Sequence, residues 1–159
     1  MNYELIDNFL EPKDLKKIQD LFLGRKIAWN CSDGIVLPGD GAFQFIHVLY
    51  SNYAPASPFF NELTPIWQKI DPCSIVRSKA NLTMKTVEHD KSAYHTDVDN
   101  CITAIYYVNT NNGYTEFQNG MKVDSIENRI VIFDSNEKHR AVTTTDTARR
   151  VVINFNYFI

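Results

Sequence analysis

The sequence has no basic run, no Cys-x-x-Cys pair, no long apolar segment and no internal repeat. Each absence removes a class of protein. Sixteen basic residues against nineteen acidic ones give a formal charge of -3. The positive face that a polyanion partner needs is missing, which argues against nucleic acid as a ligand. The three cysteines, Cys31, Cys73 and Cys101, are odd in number and far apart. They exclude a disulfide framework and read as reduced, mostly buried thiols. No apolar run approaches the roughly 20 residues of a membrane-spanning helix. Met1-Asn2-Tyr3-Glu4 has neither the basic start nor the apolar core of a secretion signal. The expectation is a soluble, cytoplasmic protein. With no linker or low-complexity stretch to divide it, the chain is expected to form one domain over 1–159.

What is present changes character midway. Residues 3–10 read as a short extended opening. Glu11-Pro12 then starts a helix, because proline at the first helical position loses no hydrogen bond. Leu15, Ile18 and Phe22 mark its buried stripe and Gly24 ends it. In the less regular stretch 25–57, Phe43, Phe45, His47 and Leu49 alternate like a strand. Ser57-Pro58 opens a second helix with Phe59, Phe60, Leu63, Ile66 and Trp67 on its apolar face, and Asp71-Pro72 stops it. From Ser74 onward the pattern is strand and turn: 75–85, 103–109, 114–117, 129–133, 139–142 and 150–158. Two helices followed by about eight short strands predict an α+β protein with the strands rolled into a double-stranded barrel or jelly roll.

Of the four histidines, two stand where a metal could use them. In an extended Tyr94-His95-Thr96-Asp97, the side chains of His95 and Asp97 point the same way. His139 lies far downstream. Two histidines and one carboxylate on one face of an ion, with other positions open, form the ligand set of non-haem Fe(II) oxygenases. Asp99 shares parity with Asp97, but Asp99-Asn100 reads as a turn. His47 and His89 read as ordinary surface or hydrogen-bonded residues. Arg149 and Arg150 are neighbours on a strand, so only one can point into a barrel. The alternation of their neighbours does not decide which.

The ordered set carries a resemblance. His-x-Asp is followed by Ile-Tyr-Tyr-Val-Asn, Gly-x-Thr-x-Phe, Asn-Arg-Ile-Val-Ile-Phe, a distal His, and Arg-Val-Val-Ile-Asn-Phe. This series resembles the Fe(II)- and 2-oxoglutarate-dependent oxygenases. It is most similar to their prolyl-hydroxylase-type branch, including short bacterial and phage members. The likeness covers roughly residues 75–158 and, more loosely, the first helix. It implies a double-stranded β-helix, the jelly-roll or cupin-like barrel, with two N-terminal supporting helices. It implies His95, Asp97 and His139 as iron ligands. It implies Arg150, rather than a solvent-facing Arg149, as the grip on the far carboxylate of 2-oxoglutarate. Tyr107, rather than Tyr106, is the implied phenol beside that carboxylate. Asn81, Thr83 and Lys85, which share one strand face, are the implied lining of the cosubstrate pocket.

The activity implied is oxidation by dioxygen with 2-oxoglutarate as cosubstrate, hydroxylating a C–H bond of an amino acid, a peptide side chain (prolyl included) or a small metabolite. The carboxylate at Asp97 argues against the halogenating branch, which leaves that iron position to a halide. Specificity is expected from the 25–57 stretch and the loops 88–93 and 109–113 at the barrel mouth. Two alternatives are oxidative demethylation of nucleic acid by the same chemistry and a jelly-roll module that binds a metal or ligand without turnover.

Overall fold

The change of periodicity near Ser74 has a structural counterpart. A computed structural model describes residues 3–159. Strand β1 (Tyr3–Ile6) leads into helix α1 (Pro12–Phe22), which has proline in its first turn as the sequence predicts. Three short strands come next: β2 (Asn30–Ser32), β3 (Gln44–Ser51) and β4 (Ala54–Pro55). A 3-10 turn (Phe60–Leu63) runs into α2 (Thr64–Ile70), and Asp71 closes it in the left-handed conformation. The strands that follow are β5 (Ser74–Met84), β6 (Ile102–Tyr107), β7 (Tyr114–Phe117), β8 (Lys122–Asp124), β9 (Arg129–Asp134), β10 (His139–Val142) and β11 (Arg149–Phe158).

Both helices precede the long strand β5, and the alternation at 43–49 between them is β3, flanked by β2 and β4. Strands β2, β4 and β8 have three, two and three residues, too short for alternation to register in a sequence.

All pairings are antiparallel. The larger sheet has the order β1-β9-β6-β11-β5-β3-β2, with β4 added on β3, and the smaller has the order β10-β7-β8. The period of two along each strand sorts side chains into two cores. On β6, Ala104 and Tyr106 join Ile18, Phe22, Leu63, Ile66 and Trp67 beneath the helices. Ile105 and Tyr107 turn the other way, into a second core with Phe117 and Val123 of the smaller sheet. Strand β11 repeats the division: Val151, Ile153 and Phe155 lie under the helices, and Val152 lies between the sheets. Trp67 meets Phe155 edge-on at 4.8 Å between ring centroids, the favoured geometry for an aromatic pair.

The expected burial of the thiols holds only for Cys101. Cys31 and Cys73 are exposed, because Cys31 sits on the edge strand β2 and Cys73 in the link after α2. All three are free. Among the described residues, no helix is long and apolar enough to cross a membrane.

Asn128 ties the start of α1 to the barrel. Its Oδ1 accepts from the Leu10 N–H at 2.8 Å and from the Tyr106 hydroxyl at 3.0 Å, and its Nδ2 donates to the Leu10 carbonyl at 2.8 Å. The residue is 5% exposed and has φ 62, a left-handed conformation in which asparagine is enriched. Asn128→Ala strands three buried polar groups and should lower the unfolding free energy by about 2–4 kcal/mol. Urea denaturation measures this, and a loss below about 0.5 kcal/mol would show the network to be dispensable.

Candidate metal centre and its cavity

The segment carrying His95 is not a regular strand. His95 meets β10 in one reciprocal pair, its N–H donating to the His139 carbonyl at 2.9 Å and the His139 N–H donating back at 3.0 Å. After that pair the chain bends. The two imidazoles are therefore direct cross-strand partners, with ring centroids 4.9 Å apart, and the bend swings Asp97 in beside them. His95 Nε2 is 3.9 Å from Asp97 Oδ1. One ligand atom from each of His95, Asp97 and His139 lies within 4.8 Å of the others, close enough for one ion.

Neighbouring groups aim these ligands. His95 Nδ1 is 3.2 Å from the Ala93 carbonyl, and His139 Nδ1 is 3.1 Å from the Glu137 carbonyl. A carbonyl can only accept, so each neutral ring carries its proton on Nδ1 and presents the Nε2 lone pair to the centre. Asn154 Nδ2 donates to Asp97 Oδ2 at 3.0 Å. Arg77 stands 3.1 Å from Oδ1, out of line for a hydrogen bond but close in charge. Burial opposes ionisation of Asp97, yet Arg77, the two histidines and Lys79 hold its carboxyl below the usual range. Burial pushes His139 down, so it is neutral at pH values where an exposed histidine is charged.

The triad opens into a cavity of about 180 Å³ between the sheets. Arg150 lines it and is 3% exposed. Its Nε donates to Ser125 Oγ at 2.8 Å and its Nη2 to Thr115 Oγ1 at 3.1 Å. Among the described residues no carboxylate pairs with it, although burial disfavours its charge. Tyr107 donates to the same Thr115 oxygen at 2.8 Å. That oxygen has two lone pairs and now accepts two bonds, so the Thr115 proton is left to point elsewhere, on a side chain that lines the cavity. Thr83 stands directly across the β5–β11 ladder from Arg150, and its buried hydroxyl has no partner. Gly113 packs against the guanidinium stem, where a Cβ would sit 2.8 Å from Arg150 Cδ. Its role is close approach.

Several expected site residues lie elsewhere than the sequence implies. Arg150, Asn81 and Thr83 line the cavity with the triad. Lys85 does not: β5 ends at Met84, and Lys85 is exposed beyond it. The lining face of β5 runs through Arg77, Lys79, Asn81 and Thr83, shifted toward the strand's start. Tyr107 is fully buried behind Thr115 and does not line the cavity. Its phenol donates to Thr115, and the Arg150 guanidinium lies 5.7 Å over its ring. Arg149 is not solvent-facing but half-buried, and its guanidinium donates to the Leu23 carbonyl at the end of α1. The 25–57 stretch supplies Ile35, Val36 and Gln44 to the rim, whereas the loops 88–93 and 109–113 supply no lining residue. His47 is held by the Ala28 carbonyl and Ser57, and His89 by the Thr143 carbonyl. Thr115 and Arg77 were missed as site residues, although Thr115 stands inside the Gly-x-Thr-x-Phe motif.

No protein-family model and no curated protein sequence matches the chain. Solved structures do match. A prolyl hydroxylase from Trichoplax adhaerens, in complex with a hypoxia inducible factor oxygen degradation domain peptide fragment, superposes with a TM-score of 0.69 at 16% identity. The match covers 98% of this chain and 83% of that one. An oxidoreductase of the 2OG-Fe(II) oxygenase family from Burkholderia pseudomallei gives 0.71 at 11% identity, covering 98% and 84%. The chain has the fold of the 2OG-Fe(II) oxygenases. A Pseudomonas putida prolyl-4-hydroxylase of this fold gives 0.58 at 12% identity, covering 99% and 92%. Across such low identities the 2OG-Fe(II) oxygenase barrel is shared while most side chains differ.

The site fixes a pH response. Because His139 is held below its ordinary value of 6.5, the folded metal-free protein binds this proton less readily than the unfolded chain. The stability tied to neutral His139 is whole above pH 6.5 and declines as pH falls below it toward the folded value. Asp97 acts in the same direction but in a lower window: its value lies below 3.8, so the stability tied to its ionised form is whole above pH 3.8 and is lost only in stronger acid. The thermal midpoint of the metal-free protein should fall between pH 6.5 and 3.8 and fall less in His139→Gln. An equal fall in the variant would assign the effect to other groups.

Proposed function

We propose that the chain is an Fe(II)- and 2-oxoglutarate-dependent oxygenase that hydroxylates a C–H bond of a small molecule or of a peptide side chain. One observation carries the reading: a single cavity has a three-ligand metal set at one end and, at the other, a buried guanidinium with no carboxylate partner among the described residues. A buried charge of this kind calls for a counter-ion. The shared fold of the 2OG-Fe(II) oxygenases supports the same conclusion.

The donor set fits. His95, Asp97 and His139 offer two nitrogens and one oxygen, a combination suited to Fe(II) with positions left open. Thr83, whose buried hydroxyl has no partner, lines the cavity directly across the ladder from Arg150 and can donate to a carboxylate oxygen. Polar atoms left bare in a folded interior are costly unless a ligand takes them up. Bound iron, supplied with 2-oxoglutarate and dioxygen, provides the oxidation, in which the cosubstrate is converted to succinate and carbon dioxide as the substrate gains a hydroxyl.

The protein's own groups do the positioning. Arg150 takes the distal carboxylate of the cosubstrate with a fork matched to two oxygens, and the Thr115 and Thr83 hydroxyls add donors. Tyr107 and Ser125 act one step back by fixing Thr115 and Arg150. Asn154 and Arg77 orient Asp97, and the backbone carbonyls of Ala93 and Glu137 fix the imidazole tautomers. No side chain is needed as acid or base. The work is orientation and the exclusion of water.

Anaerobic titration of 2-oxoglutarate into the Fe(II)-loaded protein should produce the weak visible charge-transfer band of the chelate. Asp97→Ala should lose metal binding and the band together. Arg150→Ala should keep the metal and raise the half-saturating 2-oxoglutarate concentration by roughly tenfold to a hundredfold, the worth of one or two charge-assisted bonds. Wild-type protein with iron bound but no band would sink the proposal.

A further inference from the structure

Four cations line the cavity, Arg77, Lys79, Arg140 and Arg150, against one lining carboxylate among the described residues, Asp97. Three of the four have set roles. Arg150 stands at the far end among hydroxyls. Arg140 is bound to Glu116, with Nε 2.7 Å from Oε2, and its guanidinium lies 4.2 Å over the Tyr94 ring. Arg77 donates to Asn156 Oδ1 at 3.1 Å and sits beside Asp97. Lys79 differs. Among the described residues it has neither a hydrogen bond nor a carboxylate within ion-pair distance, and only the charges of Arg77 and Asp97 act on it.

Its place in the sheet says which half of the cavity it serves. Lys79 is the cross-strand partner of Asn154, the residue that holds Asp97, whereas Thr83 is the partner of Arg150. Four residues of strand, about 13 Å at 3.3 Å per residue, separate Lys79 from Thr83. The ammonium therefore belongs to the metal end. The charges make a second point. A divalent metal, Asp97, a dianionic cosubstrate and Arg150 cancel, and Arg140 is already taken up by Glu116, a carboxylate it shares with Lys91 and Lys122. Arg77 and Lys79 remain as uncompensated positive charge beside the reacting centre. Burial and the Arg77 guanidinium push the Lys79 ammonium below the ordinary lysine range, the mark of a cation with too little counter-charge. The cavity volume of about 180 Å³ must hold the cosubstrate as well, so little enclosed space is left for the target.

We propose that Lys79, supported by Arg77, binds a carboxylate of the primary substrate, so that the substrate is a small acid or an acidic side chain. This rests on the oxygenase reading above. Lys79 acts as a specificity residue: it leaves the cosubstrate alone and selects an anionic target, because a neutral one leaves two like charges facing each other in a half-buried pocket.

The test uses Mn(II)-loaded full-length protein saturated with 2-oxoglutarate, with propionate and propionamide as probes and paramagnetic broadening of their proton resonances as the readout. Propionate should be broadened in the wild type and in Lys79→Arg, which keeps the charge. Its affinity should fall about tenfold or more in Lys79→Met, the loss of one charge-assisted bond. Propionamide should be broadened in none of the three. In the Fe(II) form, Lys79→Met should give the same charge-transfer band and the same 2-oxoglutarate half-saturation as wild type, which also shows that the variant is folded. Propionate that broadens equally in Lys79→Met, or not at all in the wild type, would overturn the proposal. A raised 2-oxoglutarate requirement in Lys79→Met would overturn it differently, by assigning Lys79 to the cosubstrate while leaving the oxygenase reading intact. Absence of the band from wild-type protein would remove that reading and the proposal with it.

Discussion

Strand β11 lies at the centre of the larger sheet, paired along its length with β5 on one side and β6 on the other. A strand so placed is buried on both faces, and its period of two must serve two different environments. Val151, Ile153 and Phe155 satisfy the apolar layer under the helices. The intervening residues Arg150, Val152 and Asn154 then have to face the cavity. Most of the site is organised by that alternation. Asn154 holds Asp97, Thr83 and Lys79 lie opposite Arg150 and Asn154, and Tyr107 lies opposite Val152. A slip of one residue would put Arg150 under the helices and Ile153 in the cavity, so register is fixed strongly by burial.

The cavity is also where the structure departs from the rules that stabilise the rest. Elsewhere most buried polar groups are paired, as Asn128 pairs with Leu10 and Tyr106, the Trp67 indole N–H and the Ser78 hydroxyl being exceptions. Along the cavity wall the Asn81 and Asn154 amide oxygens and the Thr83 hydroxyl are bare, and the cations outnumber the acids. Such a wall costs folding free energy, because each unmet group has lost water without gaining a partner. Local violations of this kind, gathered on one concave surface together with an excess of like charge, are where function is expected. A ligand that brings negative charge answers the excess of cations and can accept from the Thr83 hydroxyl, and its binding then stabilises the fold by mass action.

Much of the fold was legible because its signals are local. Proline at Pro12, the stripe through Ile18 and Phe22, and the β-branched and aromatic runs of β6, β9 and β11 all follow from backbone preference and burial period. The short strands β2, β4 and β8 were not, since two or three residues carry no period. The exposed positions of Cys31 and Cys73 were not legible either. A thiol's burial depends on which edge of the sheet its segment reaches.

The sequence by itself determined the chemistry available: two histidines and an aspartate in a spacing that suits a metal, an Arg-Arg pair at the head of a long apolar strand, and a face of polar residues along β5. Only the tertiary structure decided how these are used. The alternation around Arg149 and Arg150 is symmetric on paper, and the helices settle it by claiming Val151, Ile153 and Phe155 for their core, which turns Arg150 inward and leaves Arg149 to bond α1. The packing of the smaller sheet puts Thr115 in front of Tyr107, so the hydroxyl that faces the cavity is not the one the sequence favoured. The end of β5 at Met84 excludes Lys85 and brings in Lys79. A strand's period says which residues share a face. Which face is the inside depends on what packs against it, and that is supplied by residues distant in the chain.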